Sequence, residues 1–384
     1  MSAINADVDA AVRSLFSVKD YFVTEEGAAE YSVVYGEQSA TNFLRLLESL
    51  KGSDYSAQLY GDPERATLVV VKNPPPPTPQ LKVRLSTPAF LFLLTLLSVL
   101  VTGYVVAVIF PQVAPGSSPF EMGAGFVAAL AGIFAARYLA QRYAAGRGRF
   151  SFLAYYLPNV PLFIAIPTMY FLPTFGAVSF PTSPPANKNK LFDFYLVGAV
   201  AMLVVALVVS FLGAGTSVVL THAQVTALSS GNQTTATIQT NPSILQDGAI
   251  SLSQDLGLLG QVPSGGTLIF SPIEIAAWLG LLLAFFNLLP AALFDGGRMG
   301  RLALGDRGIR VTTVVSGLSL LLTDPPGYWV AFLLVFLMAA FPVQGETLDS
   351  ISGLSGSRKA VFAIMVAVGL LCVPVPQTFA TFPL

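Results

Sequence analysis

Seven apolar runs decide what this chain can fold into. They lie at 88–110, 122–144, 191–212, 268–293, 309–322, 328–341 and 360–375. A bilayer core about 30 Å thick takes roughly 20 helical residues, and the first four runs reach that length. The fifth and sixth are shorter, are split by Asp324-Pro-Pro-Gly327, and can instead be one helical hairpin. Only 11% of the 384 residues are charged and 54% are hydrophobic. An ordinary soluble domain carries about 25% charged residues, so most of this chain must face lipid. The lipid bilayer is therefore its first partner. A net charge of −1 argues against nucleic acid.

Residues 1–73 are of a different material. No apolar stretch of secretory-signal length follows Met1. Helices are expected at 5–16 and from Ser39 to about Lys51, with strands at 30–35, 57–60 and 66–71. This predicts a small α+β domain. The proline-rich stretch 74–86 lacks backbone donors, favours a stiff extended spacer and reads as a linker. The remaining domain, 87–378, is expected to be an α-helical polytopic bundle of about seven spans. Within it, residues 150–182 are apolar but hold Pro158, Pro161, Pro167, Pro173 and Pro181. That spacing defeats a regular helix. Irregular backbone at membrane depth needs protein cover, so a re-entrant hairpin is expected there.

The cations orient the bundle. Alternating the seven runs places all 20 Lys and Arg on the side of residues 1–73. The positive-inside rule then puts the N-terminus in the cytoplasm and the C-terminus outside, in a plasma membrane. Segment 213–267 falls on the outer side as a polar, partly disordered loop. Its triplet Asn232-Gln-Thr234 fits a glycosylation acceptor but is more simply a chance occurrence in polar sequence.

The chain has one Cys, Cys372, and one His, His222, far apart in sequence. No site needing two imidazoles or two thiolates can be built within one chain. Charges inside the runs are costly and need a reason. Glu274 and Asp193 sit at helix starts, where an acid is favoured anyway. Arg137 can snorkel to the surface. Asp295 is the more telling residue. It ends Asn287-Leu-Leu-Pro290-Ala-Ala-Leu-Phe-Asp295-Gly-Gly297. Pro290 frees a carbonyl and bends the helix, Asn287 can bond across helices, and the glycines let other groups approach the carboxylate. A metal or proton site is plausible on such a broken helix.

Asn-x-x-Pro followed by Asp-Gly-Gly resembles the second metal-site motif of the site-2 proteases, which are intramembrane zinc metalloproteases. Pro173-Thr-Phe-Gly-Ala177 is similar to the Gly-Thr-Phe-Gly-Ala element of their archaeal and plant branch, and Leu191-Phe-Asp193 with Gly198 to the start of the next span. A small α+β domain before the first span is also typical of that branch. The resemblance covers nearly the whole chain. It implies a peptide-gripping role for Asn287, Pro290, Thr174, Phe175 and Gly176, and a metal-ligand position at Asp295.

The first motif of that family, His-Glu-x-x-His followed by Tyr-Leu-Ala, aligns with Ile133-Phe134-Ala135-Ala136-Arg137 before Tyr138-Leu-Ala140. Both His and the general-base Glu are absent. Zinc catalysis needs about three protein ligands and an open position, and only Asp295 remains. No catalytic residue is intact by that motif, and on this reading no metal and no cofactor are expected, zinc belonging to active relatives. Arg137 stands where the second His would be. A salt bridge between Arg137 and Asp295 is expected to replace the metal cross-link, because a planar guanidinium can engage a carboxylate through two bonds.

The sequence thus reads as a catalytically degenerate pseudoprotease that binds transmembrane or membrane-proximal peptide segments. The alternative is a working intramembrane peptidase, either through a ligand set not visible in the sequence or through aspartyl chemistry at Asp193 and Asp295. A transporter is less favoured, since no internal repeat is found. Clients and oligomeric state are not legible.

Overall fold

The computed structural model describes residues 6–25, 27–72, 86–148, 150–158, 172–230, 242–264, 266–291, 294–323 and 347–374. Residues 74–85 of the expected linker at 74–86, the triplet at 232–234, the run at 328–341 and the middle of the 150–182 segment lie outside them.

The N-terminal part builds α1 (Ala6–Leu15), β1 (Val18–Val23), β2 (Ala29–Val33), α2 (Ser39–Ser49), β3 (Tyr55–Asp62) and β4 (Arg65–Lys72). The strands form one antiparallel sheet in the order β1-β2-β4-β3. Alternate residues of β2 and β4 point to one face and are buried, as the two-residue strand period requires. Val12 of α1, Phe43 and Leu46 of α2, and Tyr31 and Leu68 of the sheet are fully buried together.

Among the described residues, three helices are long and apolar enough to cross a bilayer: Thr87–Ile109, Pro119–Gly146 and Lys188–Ala214. They belong to α3 (Ser86–Ile109), α4 (Pro119–Gly148) and α5 (Lys188–Ala214). Phe90, Leu93 and Tyr104 of α3, and Val204, Val208 and Leu212 of α5, are exposed. Apolar faces of this kind are wet only at a cost and suit lipid. Between α4 and α5, β5 (Phe152–Pro158) and β6 (Thr174–Pro181) pair antiparallel. The described ends of the 150–182 segment are therefore strands of a hairpin, and β6 is almost wholly buried.

The expected outer loop 213–267 is more ordered than its polarity implied. It contains β7 (Val218–Leu220), α6 (His222–Ser230), α7 (Ile244–Asp255) and β8 (Thr267–Ile269). β7 pairs with β8, and α7 packs on α5. Strand β8 takes the first residues of the expected run at 268–293, so α8 (Pro272–Leu288) has only 17 residues. It is buried on nearly every side. Ser271 caps it by accepting from the Glu274 amide at 3.2 Å, and Pro272 fills the first helical position, where no donor is needed. The run at 309–322 is the second half of a longer helix, α9 (Asp295–Thr323), interrupted at Gly305, whose φ of 76° is non-helical. The last described helix, α10 (Gly356–Leu371), has 16 residues.

One connection was not foreseen. Residues 347–352 run between the N-terminal sheet and the start of α5. The Leu59 amide donates to the Leu348 carbonyl at 2.7 Å, and the Ser350 amide returns to the Leu59 carbonyl at 3.0 Å. On the other side, the Leu348 and Asp349 amides donate to Pro185 and Ala186. Asp349 is fully buried. Its carboxylate accepts from the amides of Ile351 and Ser352 at 3.1 and 2.9 Å, and from the Ser352 hydroxyl.

Candidate functional site

The site lies where α4, α5, β6, α8 and the start of α9 meet. α8 ends at Leu288 because the backbone turns out of the helical conformation at Leu289 (φ −54°, ψ 133°), just before Pro290. The chain doubles back and restarts as a helix at Asp295. Gly296 is required by this return. A Cβ there would lie 2.2 Å from the Leu288 carbonyl oxygen, closer than any side chain tolerates. Asp295 thus sits at a helix start, where the aligned peptide dipoles favour an acid.

Arg137 projects from α4 onto this carboxylate. Its Nη2 donates to both Asp295 oxygens at 3.0 and 2.8 Å, and its Nε donates to Oδ2 at 3.2 Å. The two side chains are 2% and 1% exposed, so Arg137 does not snorkel to the surface. An Arg at this depth has to be paired, and the fork of the guanidinium meets the carboxylate on two atoms.

A second arginine, Arg298, was not singled out from the sequence and is buried one turn after Asp295. Its Nη1 donates to the Tyr195 hydroxyl at 2.7 Å, and its guanidinium lies 4.5 Å from the Phe180 ring centre. The Asp-Gly-Gly-Arg spacing was the available signal, since a residue three positions on shares the face of Asp295.

The other motif positions have become core. Ile133 is fully buried and lies against Gly280 of α8. Phe134 meets Tyr156 of β5 edge to face at 5.7 Å. Gln141, one turn beyond Arg137, accepts from Ser179 of β6 at 2.7 Å, while its amide nitrogen has no partner among the described residues.

The expected peptide-gripping residues gather on β6 and the end of α8. Thr174 Oγ1 donates to the Leu157 carbonyl at 2.7 Å and accepts from the Gly176 amide at 3.1 Å. Gly176 has φ of +92°, a conformation that disfavours side chains. The Asn287 amide nitrogen lies 3.7 Å from where a Gly176 Cβ would stand, and donates to Met202 Sδ at 3.6 Å. Phe175 is buried and Pro290 is half-buried. β6 pairs with β5 alone among the described strands.

Asp193 is not brought to Asp295. It accepts two bonds at 2.8 Å from Arg358 of α10. Glu274 is fully buried, with Oε1 accepting from Ser210 and Gln246 at 2.6 Å each. His222 is exposed on α6.

Residues 164–322 match Peptidase family M50. The chain is similar to a probable zinc metalloprotease EGY2, chloroplastic, of Oryza sativa subsp. indica, with 32% identity over 129 residues. These are 32% of this chain and 23% of that protein. The same figures hold for the protein of that name in Oryza sativa subsp. japonica. The match thus spans less than a quarter of these relatives' length. No solved structure matches the chain significantly.

These matches correct the expectation of no cofactor, because the relatives are named as zinc metalloproteases. The described residues do not fit the metal, however. No three His, Cys, Asp or Glu side chains gather among them. Asp295, the one remaining ligand position, has both oxygens bonded to a cation.

Proposed function

We propose that the chain, whose residues 164–322 match Peptidase family M50, is a catalytically degenerate member of the site-2 protease family, one that holds transmembrane or membrane-proximal peptide segments without zinc-dependent cleavage. One observation carries this reading: a guanidinium, Arg137, engages the carboxylate of Asp295 through both oxygens. A water activated for attack needs a Lewis acid or a base at that place. A bound arginine is neither.

Binding is supported by what surrounds the pair. β6 has one edge without a strand partner among the described residues, and an extended peptide can add to such an edge. Asn287 lies beside Gly176 of that strand, and the Gln141 amide nitrogen is a buried donor in want of an acceptor. The cation distribution along the chain favours an N-terminus in the cytoplasm, and the proposal places the protein in the plasma membrane. Its partners are then the bilayer and transmembrane clients.

The test is site-specific photo-crosslinking from position 287, using full-length protein in liposomes with a panel of single-span peptides. A crosslink that maps to the hydrophobic stretch of a peptide, and weakens on Gly176→Val, is the expected result. Uniform labelling of all peptides and lipids, unchanged by Gly176→Val, would overturn the binding role.

A further inference from the structure

A cavity opens beyond the site, at the starts of α5, α9 and α10, with a volume of about 340 Å³. Four cations line it: Lys188, Arg298, Arg301 and Lys359. Asp306 is the one acid in the lining, and it is taken up by Arg301 at 2.7 Å. Lys188 donates to the Ser350 carbonyl at 2.8 Å, which holds its ammonium in place. Lys359 is exposed and forms no ion pair among the described residues. Residues 353 and 354, which precede α10, complete the wall, so the positive end of that helix adds to the field.

This arrangement is poor as a purely structural one. Arg301 is balanced by Asp306 and Arg298 lies in the field of Asp295, but Lys188 and Lys359 add two like charges with no ion pair among the described residues. We propose that the cavity binds an anionic phosphate group. Two sources share that chemistry: the headgroup of an anionic lipid and free inorganic phosphate. The wall also includes Leu191 and Leu354, and the exposed apolar face of α5 leads away from it, so acyl chains have a surface to follow. The proposal stands independently of whether the chain cleaves or only binds peptides. It would, however, connect lipid composition to the site, because Arg298 lines the cavity and lies one turn from Asp295.

The test is thermal unfolding of the full-length protein in a neutral detergent. It is titrated with dioctanoyl phosphatidylglycerol, with dioctanoyl phosphatidylcholine, whose cationic group masks the phosphate, and with inorganic phosphate. Phosphatidylglycerol is expected to raise the melting temperature, with its apparent affinity falling about tenfold or more in Lys188→Gln/Lys359→Gln. Charge-assisted hydrogen bonds are the strong ones, which sets that scale. If inorganic phosphate produces the shift and competes with phosphatidylglycerol, the site takes free phosphate. Should the double variant fail to fold, Lys359→Gln alters one exposed side chain and carries the test, with a smaller loss of affinity. No shift with either anion, or the same shift in wild type and variants, overturns the proposal.

Discussion

Arg137 and Asp295 lie 158 residues apart in sequence and meet in a two-pronged ion pair almost wholly shielded from water. Removing one partner leaves the other charge buried and uncompensated, at a cost of about 3–5 kcal/mol. Arg137→Ala and Asp295→Ala should therefore each unfold at markedly lower denaturant. Replacing both with Leu removes the two desolvation penalties together and should restore most of that loss. The swap Arg137→Asp with Asp295→Arg should recover part of it. Denaturant titrations of wild type, these four variants and the single reversals Arg137→Asp and Asp295→Arg measure this. A swap no more stable than either single reversal would mean that the pair does not hold α4 to α9.

Gly296 and Gly132 make a contrast. A methyl at Gly296 would overlap the Leu288 carbonyl, whereas one at Gly132 would meet nothing within 4 Å among the described residues. Gly296→Ala should lose about 1–3 kcal/mol or more through backbone displacement. Gly132→Ala sits within α4 and should be neutral or stabilising by about 0.5–1 kcal/mol. Melting temperatures of the two variants compare them directly.

Asp193 is committed to Arg358, with both side chains about a third exposed. A pair of that exposure contributes about 0–1 kcal/mol. Asp193→Asn should change stability within that range and leave peptide crosslinking from position 287 unaltered. An aspartyl mechanism at Asp193 and Asp295 predicts instead that this variant abolishes a measurable cleavage.

The buried Asp349 carboxylate ties residues 347–352 into their turn between β3 and the start of α5. Asp349→Ala leaves two amides without their acceptor, a loss of about 1–3 kcal/mol. Hydrogen exchange should speed up at the Leu59 and Ser350 amides, while β2 and its contacts with α1 stay protected. Equal acceleration across the whole N-terminal sheet would show that Asp349 holds the domain itself and not its attachment.

Local chemistry explains which features could be read from sequence. The Asn287–Gly297 stretch announces itself because Pro and Gly break a helix in any context, and an acid on a broken helix needs a partner. The proline spacing in 150–182 excluded a regular helix there, and the described ends of that segment are strands. Contacts between distant segments leave no periodic trace. The burial of Arg298 against Tyr195 and Phe180, the Glu274–Ser210–Gln246 cluster and the 347–352 connection all belong to that class. The run at 268–293 was overread in length, because Thr267–Ile269 is as compatible with a short strand as with a helix start. Polarity alone also misjudged 213–267, where α7 packs on α5 and buries Gln246, Ile250 and Ser253.

The most direct measurement is proteolysis itself. Full-length wild type and Asp295→Ala are placed in liposomes with a single-span substrate that crosslinks from position 287, in buffer with added zinc, and the products are resolved by mass spectrometry. An Arg137–Asp295 pair at the centre of the site predicts that the substrate is held and remains intact with both proteins. A cleavage product that forms with wild type and disappears with Asp295→Ala would contradict it and establish an active peptidase.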